Sequence, residues 1–309
     1  MAQPTIAAIA TATGAAGIGI IRISGSEAES ILKKVFQPLA AKEELLSHQM
    51  YLGWLIEEND RRLDQILAVI MRAPHSYTGE DVVELHCHGG NQVLQNALLL
   101  TLQQGAILAQ PGEFTQRAFL NGKLDLAQAE AVIDLIEAKS KPAEQIAAAQ
   151  LAGLFSQKIA AVQNHLLDLT AMIEADIDYP EEEVEMLSMP EMASKLQDAL
   201  AILDSLLKGA QAGRIYKEGI QTALVGKPNV GKSSLLNALL AEERALVSDI
   251  PGTTRDTIEE ELLLDGIPLK LLDTAGLREE QKADPIEALG MKRAKEKIAQ
   301  AQLVLWLVE

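Results

Sequence analysis

The stretch Gly226-Lys227-Pro228-Asn229-Val230-Gly231-Lys232-Ser233 constrains this chain more than any other feature. It lies between a short β-prone run, Gln221 to Val225, and an apolar helical run, Leu235 to Leu240. Strand, glycine loop and helix in that order are the context a phosphate-binding loop requires. Glycines let consecutive backbone N–H groups turn inward around a β-phosphate, and the helix amino terminus adds positive potential. Lys232 is placed to reach the β- and γ-phosphates, and the Ser233 hydroxyl can ligate Mg²⁺. Asn229, Val230, Gly231 and Ser234 complete the expected nucleotide contacts in this loop.

Two later elements sharpen this reading. Leu269 to Leu272 forms an apolar strand that runs into Asp273-Thr274-Ala275-Gly276, where Asp273 is placed to hold Mg²⁺ through water and the Gly276 N–H to sense a γ-phosphate. Between the two lies Ser248-Asp249-Ile250-Pro251-Gly252-Thr253-Thr254-Arg255-Asp256, a polar switch-like loop in which a threonine hydroxyl, assigned to Thr254, completes the Mg²⁺ shell. Each element alone could be an ordinary turn. In the order loop, threonine, Asp-x-x-Gly they specify a GTPase of the switch type, with the choice of GTP and GDP inferred rather than read from a guanine-specificity motif. The residue after Gly276 is Leu277, which cannot orient water, so the catalytic polar group must come from elsewhere.

Ahead of this module the chain changes character twice. Up to about Asn121, short apolar runs (Ile18 to Ile23, Leu67 to Met71, Asp81 to Leu85) alternate with glycine-bearing turns and one amphipathic helix near Gln92 to Gln103. From Leu124 to about Ile177 the chain is alanine-rich and helical, with a break at Ser140-Lys141-Pro142, where Ser140 caps a new helix. A further helix is expected to end near Leu207, and the acidic run Glu181 to Glu185 reads as a solvated face rather than a metal site. The expected architecture is multidomain α/β: an α+β domain over 1–121, an α-helical domain over 122–216 and a partial doubly wound P-loop domain over 217–309.

Composition removes several function classes. A formal net charge of −17 argues against non-specific adhesion to nucleic acid or anionic membrane, both of which need clustered cations. A single cysteine, Cys87, rules out an internal disulfide. With no signal-like amino terminus and no apolar run long enough to span a bilayer, a soluble cytoplasmic protein is expected. In His86-Cys87-His88 the histidines share one strand face and Cys87 points away, which speaks against a shared metal.

The phosphate loop, the 252–256 loop and Asp273 to Glu279 together resemble the MnmE (TrmE) family of tRNA uridine-modification GTPases. Related families such as Era and Der share much of that half. Gly17 to Gly25, Ser76 to Asp81, Glu84 to Gly90, Pro111 to Phe114 and Asn121 to Glu130 resemble the folate-binding amino-terminal domain of the MnmE family. The resemblance implies GTP hydrolysis coupled to installing an aminomethyl-type group on carbon 5 of the wobble uridine of tRNA. The one-carbon unit would come from a tetrahydrofolate, the partner would be the flavin protein MnmG, and the amino-terminal domain would form a homodimer. By similarity, Arg22, Glu84 and Lys123 would contact the folate: cations can meet its carboxylates or carbonyls, and a glutamate can accept from pterin donors. The competing reading of Arg22 is an edge residue, of Glu84 a cross-strand partner and of Lys123 a solvated lysine.

By the same resemblance K⁺ takes the place of an arginine finger. Asn229, Ser248, Ile250 and Thr253 would hold it, and Glu287, in Glu287-Ala288-Leu289-Gly290, would orient the attacking water, with Glu279 and Glu280 as weaker candidates. The chain stops at Leu303 to Glu309, before any Asn-Lys-x-Asp specificity motif or the family's terminal cysteine, so a fragment is expected. Two other functions stand beside this one: a ribosome-assembly GTPase of the Era/Der kind, and a non-catalytic folate-binding scaffold.

Overall fold

The computed structural model describes residues 3–12, 14–40, 44–57, 61–178, 188–226, 230–243, 260–272, 299 and 301–308. The chain divides into two compact units, Met1–Ala129 and Glu130–Glu309. The architecture is multidomain α/β.

The first unit contains β1 (Ile6–Ile9), β2 (Ile18–Ser24), α1 (Ala28–Val35), β3 (Phe36–Pro38), β4 (Met50–Ile56), β5 (Arg62–Met71), β6 (Val82–His88), α2 (Asn91–Gln103), β7 (Ile107–Leu108) and α3 (Glu113–Leu120). The described strands form a seven-stranded sheet in the order β3-β4-β5-β6-β2-β1-β7, antiparallel except for the β1–β7 pair. β5 shows why these segments are strands. Asp64, Ile66, Ala68 and Ile70 are buried while Gln65 and Leu67 between them are exposed, the period of a sheet with one covered face.

On that covered face Ile21, Ile23, Val83 and Leu85 pack with Ile31, Leu32 and Val35 of α1 and with Leu94, Ala97 and Leu98 of α2. Each fully buried Ile or Leu contributes about 1.5–3 kcal/mol, so this cluster holds the sheet rigid. By the same alternation Arg22, Glu84 and His86 project from the opposite face. Both β5 and β6 run longer than the apolar runs Leu67 to Met71 and Asp81 to Leu85 suggest. Strand pairing carries on through polar residues wherever a neighbouring strand offers hydrogen-bonding partners.

The unit boundary falls within α4 (Leu126–Glu137). Beyond it come α5 (Lys141–Leu151), α6 (Leu154–Asp178) and α7 (Met189–Glu218). Ser140 caps α5 as expected: its side chain accepts from the Ala143 N–H at 3.3 Å, with proline in the first turn. α7 does not end near Leu207 but continues to Glu218 and stops at Gly219, whose φ is 75°. Gly209 and Gly213 weaken a helix without ending it, at about 1 kcal/mol each. Among the described residues no helix is long and apolar enough to cross a membrane.

The unit ends with β8 (Ile220–Gly226), α8 (Lys232–Glu243), β9 (Glu260–Leu264), β10 (Ile267–Leu271) and β11 (Leu303–Leu307), the strands ordered β11-β8-β10-β9. β8 lies between two parallel partners, β10 and β11, with β9 antiparallel at the edge. The carboxyl ends of three parallel strands therefore meet on one side, the usual place for a ligand in an open α/β sheet.

Candidate functional site

β8 leads out of the sheet at Gly226, and α8 begins at Lys232. Gly231 has φ 96°, a conformation that glycine adopts without strain, and its carbonyl accepts from the Leu235 N–H at 2.9 Å to start the helix. Lys232 is 7% exposed, and its Nζ donates to the Gly226 carbonyl at 2.9 Å. A nearly buried ammonium resting on the carbonyl that opens the loop is placed to meet an anion at the helix amino terminus, where backbone N–H groups have no intrahelical acceptor. Val230 is half-buried, and Ser234 is exposed in the first turn of α8. Ser233 stands at the start of α8. The other sequence candidates, namely Asn229, Ser248, Asp249, Ile250, Pro251, Gly252, Thr253, Thr254, Asp273, Thr274, Ala275, Gly276, Glu279, Glu280 and Glu287, lie outside the described residues, as does the acidic run 181–185.

The second constellation lies in the first unit, on the sheet face away from the core. Arg22 of β2 and Glu84 of β6 are register partners, and Arg22 Nη2 lies 2.8 Å from Glu84 Oε1 while Nε donates to the same oxygen at 2.9 Å. Glu84 is thus the cross-strand partner that the competing reading expected. The other Glu84 oxygen lies 3.3 Å from His86 Nε2. The Arg22 guanidinium stands 5.5 Å from the Tyr77 ring centre and 5.7 Å from that of Phe114, within cation–π range. Lys123 does not touch this pair. Its Nζ donates to the Pro74 carbonyl at 3.0 Å, and a methyl group on Gly79 would stand 3.3 Å from its Cγ, so it is fastened to the loop that carries Tyr77.

Several residues that the sequence reading left without a role help build this site. Arg117 of α3, 3% exposed, donates from Nη1 to both oxygens of Glu80 at 3.2 and 3.3 Å, and from Nη2 to the Pro4 carbonyl at 2.9 Å and Glu113 Oε1 at 2.8 Å. The Ser24 hydroxyl donates to Glu80 at 2.6 Å and lies 2.7 Å from that of Thr78. The Glu113 carboxyl is held below its usual range: burial, the largest single influence, pushes it up, but the Gln110 N–H and Arg117 together outweigh it. Tyr77 and Phe114 belong to the segments Ser76 to Asp81 and Pro111 to Phe114 singled out in the sequence. Which side chains turn toward Arg22 is set by the fold.

At His86-Cys87-His88 the alternation holds. Cys87 is buried on the core face and its thiol is pushed up to about 12, first by burial and then by the charge of Asp64. His86 contacts Glu84, while His88 bonds to the buried Asp64 through both its backbone N–H and Nδ1. The two histidines thus have different carboxylate partners. Among the described residues no group of three or more metal-ligating side chains converges.

Two families match the chain: "GTP-binding protein TrmE N-terminus" over residues 5–123 and "MnmE helical domain" over residues 126–303. Among curated proteins it is 50% identical to the tRNA modification GTPase MnmE of Symbiobacterium thermophilum, covering 100% of this chain and 68% of that protein. It is 51% identical to the protein of the same name from Moorella thermoacetica, covering 100% and 67%, and 49% identical to that of Syntrophotalea carbinolica, covering 99% and 66%. The chain therefore spans about two thirds of the length of these relatives.

Proposed function

Since this chain belongs to the MnmE family of tRNA modification GTPases, GTP hydrolases that act in tRNA modification, we propose that it couples K⁺-dependent GTP hydrolysis to a folate-supplied one-carbon transfer onto carbon 5 of the wobble uridine of tRNA. The reaction would be carried out with MnmG, in the cytoplasm, by a homodimer joined through residues 1–121. Residues 122–216 would form the helical domain and 217–309 the nucleotide domain. The observation that carries this reading is the coexistence in one chain of two chemically distinct anchors: the Lys232 ammonium at the start of α8, and the Arg22–Glu84 pair against two aromatic rings.

The residues present suit their ligands. Lys232 already rests on the loop carbonyl and can exchange it for a phosphate oxygen, while Ser233 and Thr254, with Asp273 through water, would hold Mg²⁺. Asn229, Ser248, Ile250 and Thr253 would hold K⁺, and the two cations would supply positive charge against that developing on the phosphate oxygens. Glu287 would orient the attacking water, the task that Leu277 cannot perform. In the first unit, Arg22 keeps donors beyond the two given to Glu84, Glu84 keeps acceptor capacity on its second oxygen, and the Lys123 ammonium has three N–H groups, of which the Pro74 carbonyl takes one. That set matches a ligand with a donor-bearing heterocycle and anionic carboxylates, as a tetrahydrofolate is.

The test is GTP turnover in KCl against NaCl, on the chain itself and with Asn229→Ala or Glu287→Ala. Sodium and both substitutions should lower turnover more than nucleotide affinity. Equal rates in the two salts would overturn the K⁺ assignment, and a chain that binds but never hydrolyses would be a scaffold. Binding of 5-formyltetrahydrofolate separates this family's chemistry from that of a ribosome-assembly GTPase, for which no binding is expected.

A further inference from the structure

The surroundings of Arg22 are assembled from three separate pieces of chain. β2 supplies Arg22 itself, the loop 72–81 supplies Tyr77, and α3 supplies Phe114. One residue ties these pieces together. Arg117 grips Glu80 at the end of the loop, Glu113 one turn back on its own helix and the Pro4 carbonyl beside β1. Glu80 in turn accepts from Ser24, two residues along β2 from Arg22 and on the same face. Lesser ties join the loop to α3 and to the turn after it: the Tyr77 hydroxyl lies 2.9 Å from that of Thr115, and Asn121 Nδ2 donates to the Thr78 carbonyl at 2.8 Å.

Resting on the folate reading of this site, we propose that Arg117 is its positioning residue: by clamping Glu80 to α3 it sets the spacing at which Tyr77 and Phe114 meet the Arg22 guanidinium. Stability alone is a poor reason for this arrangement. A buried arginine ion pair gains little over well-packed apolar side chains of the same volume. Here Arg117 Nε is also buried with no hydrogen-bond partner, which adds a cost of its own. A fixed geometry is what the cluster provides in return. Misplacing a recognition group by about 1 Å can cost as much as a hundredfold in function.

The experiment compares the intact 309-residue chain with Arg117→Lys, which keeps the charge but offers one nitrogen in place of the planar fork that reaches Glu80 from Nη1 and Pro4 and Glu113 from Nη2, and with Glu80→Gln/Arg117→Met, which removes both charges together. Two readouts are taken: the Kd for 5-formyltetrahydrofolate by calorimetry, and amide hydrogen exchange across 72–81 and α3. Both variants should melt cooperatively and bind GDP like the parent. Exchange at 72–81 should quicken while β2 and β6 stay protected, and the folate Kd should rise about tenfold or more.

A folded double variant with unchanged exchange and unchanged Kd would overturn the assignment. A double variant that fails to fold passes the decision to Tyr77→Phe, which cuts only the tie to Thr115: weakened folate binding there would support the clamp, and parental affinity would overturn it. A parent chain that binds no folate sinks the folate reading instead, and the exchange data then decide the clamp alone.

Discussion

Arg22 and Glu84 stand directly opposite each other on β2 and β6, and both close contacts of the guanidinium fall on a single carboxylate oxygen. The second oxygen is left to His86 and to any ligand donor on that face. With side chains 30% and 16% exposed, the pair is partly screened by solvent. In a double-mutant cycle of Arg22→Met and Glu84→Gln followed by urea unfolding, the coupling should be about 0.5–1 kcal/mol. Each single variant should lower 5-formyltetrahydrofolate affinity about tenfold or more. Full affinity in both would remove the pair from the site.

A second ion pair makes stability depend on acid. The Glu29 carboxyl is held below its usual range, first by the hydrogen bond from Arg72 and then by Lys33; Arg72 Nη2 lies 3.0 Å from Glu29 Oε1. A depressed folded-state pKa adds stability that is complete above the unfolded value of 4.5 and is lost as pH falls through the folded value. Glu29→Gln should therefore cost about 1 kcal/mol at neutral pH. It should also flatten the decline of the urea midpoint below pH 4.5. A parallel decline in parent and variant would contradict this.

Cys87 shows the reverse sign. Its thiol stays protonated in the folded protein up to about 12, against 9.0 when unfolded. The unfolded chain therefore releases this proton first, and stability should fall as pH rises from 9 toward 12. At pH 8 native protein should react with iodoacetamide only as fast as it opens, and urea should raise the rate steeply. Equal rates with and without urea would mean that the thiol is accessible.

Gly25, just after β2, has φ 135°, and a methyl group there would stand 2.5 Å from Thr5 Oγ1 and 2.7 Å from the Thr5 Cα. The first is a strain of backbone conformation and the second a clash with main chain. Gly25→Ala should thus destabilise the first unit by about 2–4 kcal/mol. Thermal unfolding measures this directly, and an unchanged midpoint would show that the turn can relax.

Much of the architecture could be read from pattern. The two-residue alternation in β2, β5 and β6, the cap at Ser140 and the strand-loop-helix at Gly226 are local signals, carried by neighbouring residues. The extent of α7 could not be read this way, because glycines only weaken a helix and packing decides whether it continues. Nor could Arg117 be singled out. Its partner Pro4 is 113 positions away, and no spacing rule links them.

The strand end at Gly226, the glycine turn at Gly231 and the helix start at Lys232 were determined by sequence alone, because they fall within eight consecutive residues, where local backbone preference is enough. The Arg22 site was decided by tertiary structure. Arg22 and Glu84 are 62 positions apart and meet only because antiparallel register puts them on the same face of the sheet. A slip of one residue would turn either of them into the core.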